Sequence, residues 1–190
     1  MSEDIFQFLK QSDTTGGDYF KLQDGDKKSV RILSKPIMGY QLFVDGKPQR
    51  WAHDEPRPNH VPEVNERDEK PKKFVAFIVY EYSGQSDVGR VKIWEFTQRT
   101  VIDQMAMLFK EEHWTAFELV IARVGKGLDT KYNVTGIKSP IEDTLLEFAS
   151  KAREYITLTN LYSGENPFIK ELPTVDAKPS QADQAANLPF

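Results

Sequence analysis

The chain contains no cysteine and no apolar run long enough to cross a bilayer. Without cysteine it forms neither a disulfide framework nor a thiolate metal site. A membrane-spanning helix needs about 20 mainly apolar residues, and the opening MSEDIFQFLK is acidic and lacks the apolar core of a signal peptide. These absences predict a soluble, cytoplasmic protein, and the length of 190 residues suits one domain with extensions.

Catalytic motifs are also missing. The three histidines, His53, His60 and His113, do not have the spacing of metal ligands. The GKGLD segment lacks the spacing of a phosphate-binding loop, and no G-x-S-x-G sequence occurs. The central strands offer only Glu81 and Glu95 as carboxylates for a nuclease. The sequence therefore predicts a protein that is not an enzyme and that has no metal or cofactor.

Charge is unevenly distributed, although the whole chain carries −4. Residues 1–26 and 139–190 each carry −4, and residues 27–138 carry +4. Within that middle part, 54–69 contributes −4, so the rest of it carries +8. A cationic body with acidic arms is typical of proteins that bind nucleic acid.

A β-hairpin is predicted from Lys72 to Phe96, where two runs rich in valine, isoleucine and aromatic residues flank SGQSDVG. The first run is apolar on both faces and needs cover on both, from the core and from a second element or a bound ligand. In the second run, Val91 and Ile93 alternate with Arg90, Lys92 and Trp94. Because cations are rarely buried unless paired, this second set is predicted to form an exposed binding face.

Further strands precede this hairpin. Residues 27–34 predict a first strand that Pro36 ends or bends, and 37–51 predict a strand that turns at Asp45-Gly46, with Gly39 at a bulge or bend. Residues 53–71 contain four prolines and six acids. That composition predicts a long mobile loop.

The second half combines a helix, a hairpin and another helix. Helical spacing follows Thr97, a hairpin turns at 125–127, and a helix begins at Pro140. This order predicts a mainly β fold, a five-stranded OB-fold-like barrel with a helix between the central and last hairpins. The predicted divisions are an N-terminal arm at 1–26, a barrel domain at 27–160 and a disordered tail at 161–190.

The chain resembles the single-stranded DNA-binding proteins of tailed bacteriophages. The resemblance covers roughly Lys27 to Gly136 and rests on VRIL, FIVYEYSG, GRVKIWEFTQRTVIDQM and FELVIARVGKGLDTKYNVTG. It implies an OB-fold that coats single-stranded DNA in replication, recombination and repair in the cytosol of the bacterial host. It also implies a C-terminal tail that recruits replication or recombination proteins, and self-association along the DNA.

The end of the chain agrees with that family in one respect and departs from it in another. Leu188-Pro189-Phe190 is similar to the Pro-Phe tip of such tails, and these three residues are the predicted partner site. The tail is only mildly acidic. Some relatives hold zinc through cysteines and a histidine, and this chain has no cysteine.

Single strands are bound by cations that contact phosphates and by aromatic rings that stack on bases. The predicted phosphate contacts are Arg31, Lys35, Lys73, Arg90, Lys92, Arg123 and Lys131. The predicted stacking residues are Trp94, which shares a strand face with Arg90 and Lys92, and then Tyr40, Phe43, Trp51, Tyr80 and Tyr82.

Two other functions are consistent with the same residues. An RNA-binding barrel uses the same stacking physics, and a protein-docking barrel would use the apolar strand face. A further hypothesis concerns loop 53–71: its acids lie over the cationic face until DNA displaces them.

Overall fold

The computed structural model describes residues 19–82 and 90–168, which form seven β-strands and three α-helices. The strands are β1 (Lys27–Ile32), β2 (Ile37–Val44), β3 (Lys47–Ala52), β4 (Lys72–Glu81), β5 (Arg90–Phe96), β6 (Phe117–Val124) and β7 (Lys131–Lys138). The helices are α1 (Arg99–Glu111), α2 (Asp143–Tyr155) and α3 (Asn160–Ser163). The prediction of a mainly β fold, with a helix between the central and last hairpins, is confirmed.

All the strand pairs within the sheet are antiparallel, and β4 lies at its centre. The order is β3-β2-β4-β1-β6-β7, with β5 on the other edge of β4. β2 pairs with the first half of β4 and β1 with the second half. Between them, Ser34 Oγ accepts a hydrogen bond from Ile78 N at 2.9 Å. β1 and β2 therefore act as one strand that is interrupted near Pro36, as predicted.

The β2–β3 hairpin has the predicted turn. Asp45 and Gly46 both have positive φ, 49° and 73°, which is the conformation of a two-residue hairpin turn. Gly39 lies at a close crossing, since a Cβ there would be 2.0 Å from the carbonyl oxygen of Trp51. Only glycine fits that position, and the predicted bend is consistent with it.

Both faces of β4 are covered. We call the face that carries Phe77 the inner face and the face that carries Ile78 the outer face. On the inner face, Phe77 packs in a core with residues of β5 and with Val101 and Met105 of α1. On the outer face, Ile78 packs in a second core that includes residues of α2 and α3. The need for cover on both faces is confirmed, and α2 supplies the second cover in place of a ligand.

The sheet is open. Among residues 19–82 and 90–168, β5 and β7 do not pair with each other, so a closed barrel is not observed, and the sheet has seven strands where the predicted barrel had five. At the edge of β7, the side chain of Gln104 donates to Tyr132 O at 3.2 Å and accepts from Val134 N at 2.7 Å. This one amide from α1 thus pairs with two backbone groups at the edge of β7, as a neighbouring strand would.

The predicted domain boundaries are wrong by several residues at both ends. Phe20 and Leu22, assigned to the arm, are buried in the inner core. Leu161, assigned to the tail, is 3% exposed, and Phe168 forms a β-bridge with Ile156. In each case a few apolar residues in a polar segment pack onto the sheet. The rest of the arm and of the tail lies outside the described residues.

The last long helix begins later than predicted. α2 starts at Asp143 instead of Pro140. The reason is tertiary, because the buried Arg31 donates a hydrogen bond to Ser139 O at 2.8 Å. This bond holds the connection from β7 in place before the helix begins.

Replacing Gln104 with alanine should lower the free energy of unfolding by about 1–2 kcal/mol, because the edge groups of β7 lose their partner. Urea denaturation measures the change. The matched control is Asp103→Ala, since Asp103 is exposed and its ion pair with Arg99 lies at the surface; its effect should be below about 0.5 kcal/mol. Equal effects of the two substitutions would contradict the role given to Gln104.

Candidate nucleic-acid interface

The main predicted stacking residue, Trp94, lies in the core. Its side chain is 5% exposed, and its ring lies 4.5 Å from that of Phe96 and 5.8 Å from that of Phe20. The alternation along β5 was predicted correctly, but the face that carries Trp94 points inward. A ring covered in this way cannot stack on a base, so the predicted role of Trp94 is wrong.

Lys92 is buried beside Trp94 and is neutralised by a carboxylate. Its Nζ lies 2.7 Å from Glu81, whose other oxygen lies 2.8 Å from Lys28. The Lys92 and Glu81 side chains are 11% and 13% exposed. Burial raises the pKa of the Glu81 carboxyl, but hydrogen bonds and charges from both lysines outweigh it, so the pKa lies below the ordinary 4.5. Lys92 is therefore an internal counter-ion, and its predicted contact with phosphate is wrong.

Three more predicted residues are covered by other parts of the chain. Arg31 is 2% exposed and donates to Ser139 O, so it holds the connection to α2. Tyr80 is 8% exposed and packs in the outer core with α2. Trp51 is 5% exposed and packs with Val61. Their predicted contacts with DNA are wrong, because each was assigned from its own strand without the element that covers it.

The remaining predicted residues are accessible to different degrees. Arg123 is half-buried and donates to Leu22 O at 2.6 Å, which ties the N-terminal segment to β6. Tyr82 is half-buried, with its ring 5.1 Å from that of Tyr80. Four others are exposed on separate parts of the surface: Lys35, Phe43, Arg90 and Lys131.

The structure brings two predicted residues together. Tyr40 of β2 lies directly opposite Lys73 of β4, and Met38 lies opposite Val75 on the same face. Lys73 is exposed, Tyr40 is half-buried and Met38 is 43% exposed. Among the described ion pairs, Lys73 takes part in none. We call Met38, Tyr40, Lys73 and Val75 the Tyr40 strip; it combines an accessible ring with an unpaired cation.

The aromatic ring of the strip is supported from the side. Tyr40 stacks on Trp51 with ring centroids 5.7 Å apart and an interplanar angle of 27°. Val61, 1% exposed, packs with Trp51 from loop 53–71. This support fixes the orientation of the Tyr40 ring before any ligand arrives.

Loop 53–71 is better organised than its composition predicted. Asn65 is 7% exposed, and its Oδ1 accepts from the backbone N–H groups of Arg67 and Glu69, both at 2.9 Å. The loop also ends in a contact, because Glu69 pairs with Lys72 at 3.1 Å. A segment held by Val61 and Asn65 does not match a loop that is mobile along its whole length. The loop begins and ends beside the Tyr40 strip, because His53 N donates to Met38 O at 3.1 Å and Glu69 pairs with Lys72, the neighbour of Lys73.

A polar network that the sequence did not reveal lies on the opposite face of β2. The Arg50 guanidinium donates to both oxygens of Glu95 at 2.8 and 3.0 Å, and Arg50 Nε donates to Gln41 Oε1 at 2.7 Å. The hairpin turn at Asp45-Gly46 sets the pairing of Gln41 with Arg50. The contact between these two residues could therefore have been predicted from the turn. Glu95 arrives from β5, and no local pattern links it to Arg50.

The described residues contain neither a membrane-spanning helix nor a cluster of metal ligands. No helix in the described part is long and apolar enough to cross a membrane. Within residues 19–82 and 90–168, no group of three or more histidine, aspartate or glutamate side chains is arranged to hold a metal ion. No family model matches the chain, and no curated protein or solved structure shows significant similarity to it.

Replacing Glu81 with glutamine should destabilise the fold by about 3 kcal/mol, because two lysines lose the carboxylate between them. The lowered pKa of Glu81 also sets a pH dependence. Its stabilising contribution is full above about pH 4.5 and is lost as the pH falls through the lowered pKa. Urea denaturation from about pH 3 to about pH 7, which spans the ordinary carboxyl pKa, measures both effects.

The matched control is Glu147→Gln, on an exposed position of α2. It should change the stability by less than about 0.5 kcal/mol. If Glu81→Gln leaves the acid limb of the stability curve as steep as in the wild type, the Lys28–Glu81–Lys92 group does not control it.

Proposed function

We propose that the protein binds single-stranded DNA without sequence preference and protects it during phage DNA replication, recombination or repair. The observation that carries the proposal is the placement of Tyr40 directly opposite Lys73 on an accessible part of the sheet. One side chain offers a face for a base and the other a charge for a phosphate, which is the combination that a non-specific single-strand site requires.

We also infer that the open sheet is an OB-fold-like barrel. β1 pairs with β4 and β6, β4 pairs with β5, and β6 pairs with β7. α1 lies between β5 and β6 in the chain. An OB-fold is a five-stranded, partly open barrel, and the β2–β3 hairpin is an addition to that arrangement. The bridge that Gln104 makes to the β7 edge supports a barrel left open on that side.

Stacking and charge each contribute to affinity in this proposal. A base stacked on Tyr40 gains about 1–3 kcal/mol, whatever the base. Lys73 releases a counter-ion from the phosphate that it contacts, so the affinity falls as salt is added. The support of Tyr40 by Trp51 reduces the ordering cost of binding, because the ring is already held.

The resemblance to phage proteins supports two further parts of the proposal. Leu188, Pro189 and Phe190 recruit replication or recombination proteins, and the protein acts in the cytoplasm of the bacterial host. The three tail residues lie outside the described residues, so the resemblance alone carries their role. Four exposed residues remain predicted contacts away from the Tyr40 strip: Lys35, Phe43, Arg90 and Lys131.

Tyr40→Ala and Lys73→Ala should each weaken the binding of a thirty-base single strand, by about fivefold or more for Tyr40→Ala. Lys73→Ala should also reduce the slope of log affinity against log salt by about one unit. Fluorescence anisotropy of a labelled oligonucleotide at several salt concentrations measures both, with duplex DNA and an RNA of the same length as competitors.

The matched charge control is Lys110→Ala, on an exposed position of α1, and it should keep most of the wild-type affinity. Phe43→Ala tests the opposite face of β2, where Phe43 is 47% exposed. If Phe43→Ala weakens binding and Tyr40→Ala does not, the proposed strip is wrong although the function stands. Absence of binding to any oligonucleotide contradicts the function, and stronger competition by RNA identifies an RNA-binding protein.

Neutralising the acids of loop 53–71 should strengthen binding, because the loop begins and ends beside the strip and its negative charges would repel phosphates. The variant Asp54→Asn/Glu55→Gln/Glu63→Gln removes three charges from exposed positions and leaves Val61 and Asn65 in place. We expect about a threefold or larger gain in affinity at low salt, shrinking as salt screens the charges.

The control is the same number of substitutions on α2, Glu142→Gln/Glu147→Gln/Glu154→Gln, all exposed. An equal gain from both variants would show that only the net charge matters. No gain from the loop variant would end the proposal that the loop opposes binding.

A further inference from the structure

A small cleft lies between the N-terminal segment and the end of β5. Its volume is about 240 Å³, and its lining includes Tyr19, Lys21, Gln41, Glu95, Thr97 and Gln98. Gln41 follows Tyr40 in β2, and its side chain points to the opposite face. The cleft is therefore separate from the Tyr40 strip, although the two share β2.

The polar wall of the cleft is held in one arrangement. Arg50 Nε donates to Gln41 Oε1 at 2.7 Å, and the guanidinium binds both oxygens of Glu95. Because the Gln41 oxygen accepts from Arg50, its amide N–H groups remain as donors. The Glu95 carboxylate keeps acceptor capacity after binding Arg50. Donors and acceptors thus stand next to each other on a wall that is largely buried.

We propose that this cleft binds a single nucleobase. A base is flat and presents donors and acceptors along one edge, and Gln and Glu side chains are suited to pair with such edges. The Tyr19 ring supplies an aromatic surface, and the exposed Lys21 at the rim can meet a phosphate. The volume is below the 300–1,000 Å³ or so typical of drug-sized ligands, so one base fits and a dinucleotide does not.

Other ligand classes match the cleft less well. An aliphatic ligand would leave the Gln41 donors and the Glu95 oxygens without partners, which costs about 1–3 kcal/mol for each buried group. A simple anion would meet the carboxylate of Glu95. A nucleobase satisfies both groups at once.

The cleft and the Tyr40 strip lie at the same end of the sheet. Val75 of the strip pairs with Phe96 of the antiparallel strand β5. Two residues further in this register, Lys73 precedes Val75 and Gln98 follows Phe96. Lys73 and Gln98 therefore lie at the same end of the β4–β5 pair. The inference that the base belongs to a bound DNA strand rests on the proposed function. The inference that the cleft binds a base does not depend on it.

The test uses the full-length, isotope-labelled protein and its backbone and side-chain amide NMR signals. The probes are the four deoxynucleoside monophosphates, deoxyribose 5-phosphate without a base, and a twelve-base oligonucleotide. We expect the monophosphates and the oligonucleotide to shift the signals of Gln41, Thr97 and Gln98, and the base-free sugar phosphate not to shift them. Gln98→Ala should weaken monophosphate binding about fivefold or more.

Gln98 is suited to substitution because it is exposed and its side chain makes no capping bond to α1. The matched control is Asn133→Ala, an exposed amide on β7, which should leave the titration unchanged. Equal shifts with the base-free sugar phosphate would overturn the proposal in favour of a phosphate site. Absence of shifts at the cleft with every probe would also overturn it.

The same experiment separates the cleft from the strip and identifies the source of the base. If the oligonucleotide shifts signals of the Tyr40 strip and no probe shifts those of the cleft, the proposed function stands and the cleft proposal is wrong. If the monophosphates shift the cleft and no oligonucleotide binds, the cleft takes free nucleotides and the proposed function is wrong. If the oligonucleotide shifts the NMR signals of the strip and of the cleft, and the cleft shifts are smaller in Gln98→Ala, the result supports the proposed function and the cleft proposal together.

Discussion

The two apolar faces of β4 are the constraint on which the rest of the structure depends. A strand of this kind must be covered on both sides, because each exposed face would leave large aliphatic and aromatic groups in water. The inner face is covered by aromatic residues of β5 and by α1, and the outer face by α2 and α3. A ligand therefore has no access to the middle of β4. The strand becomes accessible at its beginning, where Lys73 is exposed opposite Tyr40.

Several cations that look suited to phosphates are used inside the fold. Lys92 pairs with Glu81, and Arg50 pairs with Glu95, while Arg31 binds backbone carbonyl groups. A cation on a strand is compatible with an exposed face or with a buried pair, and the difference depends on a partner elsewhere in the chain. Each pair removes one positive and one negative charge from the surface, so the net charge of the middle segment is unchanged but fewer of its cations are available to phosphates. Lys73 matters because it stays at the surface.

Polar segments also contribute more to packing than their composition indicates. Loop 53–71 has few large apolar groups, yet Val61 packs with Trp51 and thereby supports Tyr40. At the two ends of the fold, Phe20 packs into the inner core and Leu161 into the outer core. In each case one or two apolar side chains fix a long polar stretch, because burying each is worth about 1.5–3 kcal/mol. The support of the candidate site comes from such a segment.

The sequence by itself determined the strands, the turn at Asp45-Gly46, the break near Pro36, the helix after β5 and the need to cover β4 twice. These follow from the periodicity of apolar residues and from the fixed geometry of proline and glycine, which act within a few residues. Only the tertiary structure decided that β5, like β4, is covered on both faces, which cations are paired and that the sheet stays open. Trp94 and Lys92 alternate with Val91 and Ile93 whether one face is buried or both are, so the pattern along one strand cannot distinguish the two cases. The distinction came from Phe20 and α2, which the fold brings to β5 from distant parts of the chain, and from Glu81, whose pairing with Lys92 across the hairpin is decided by side-chain burial.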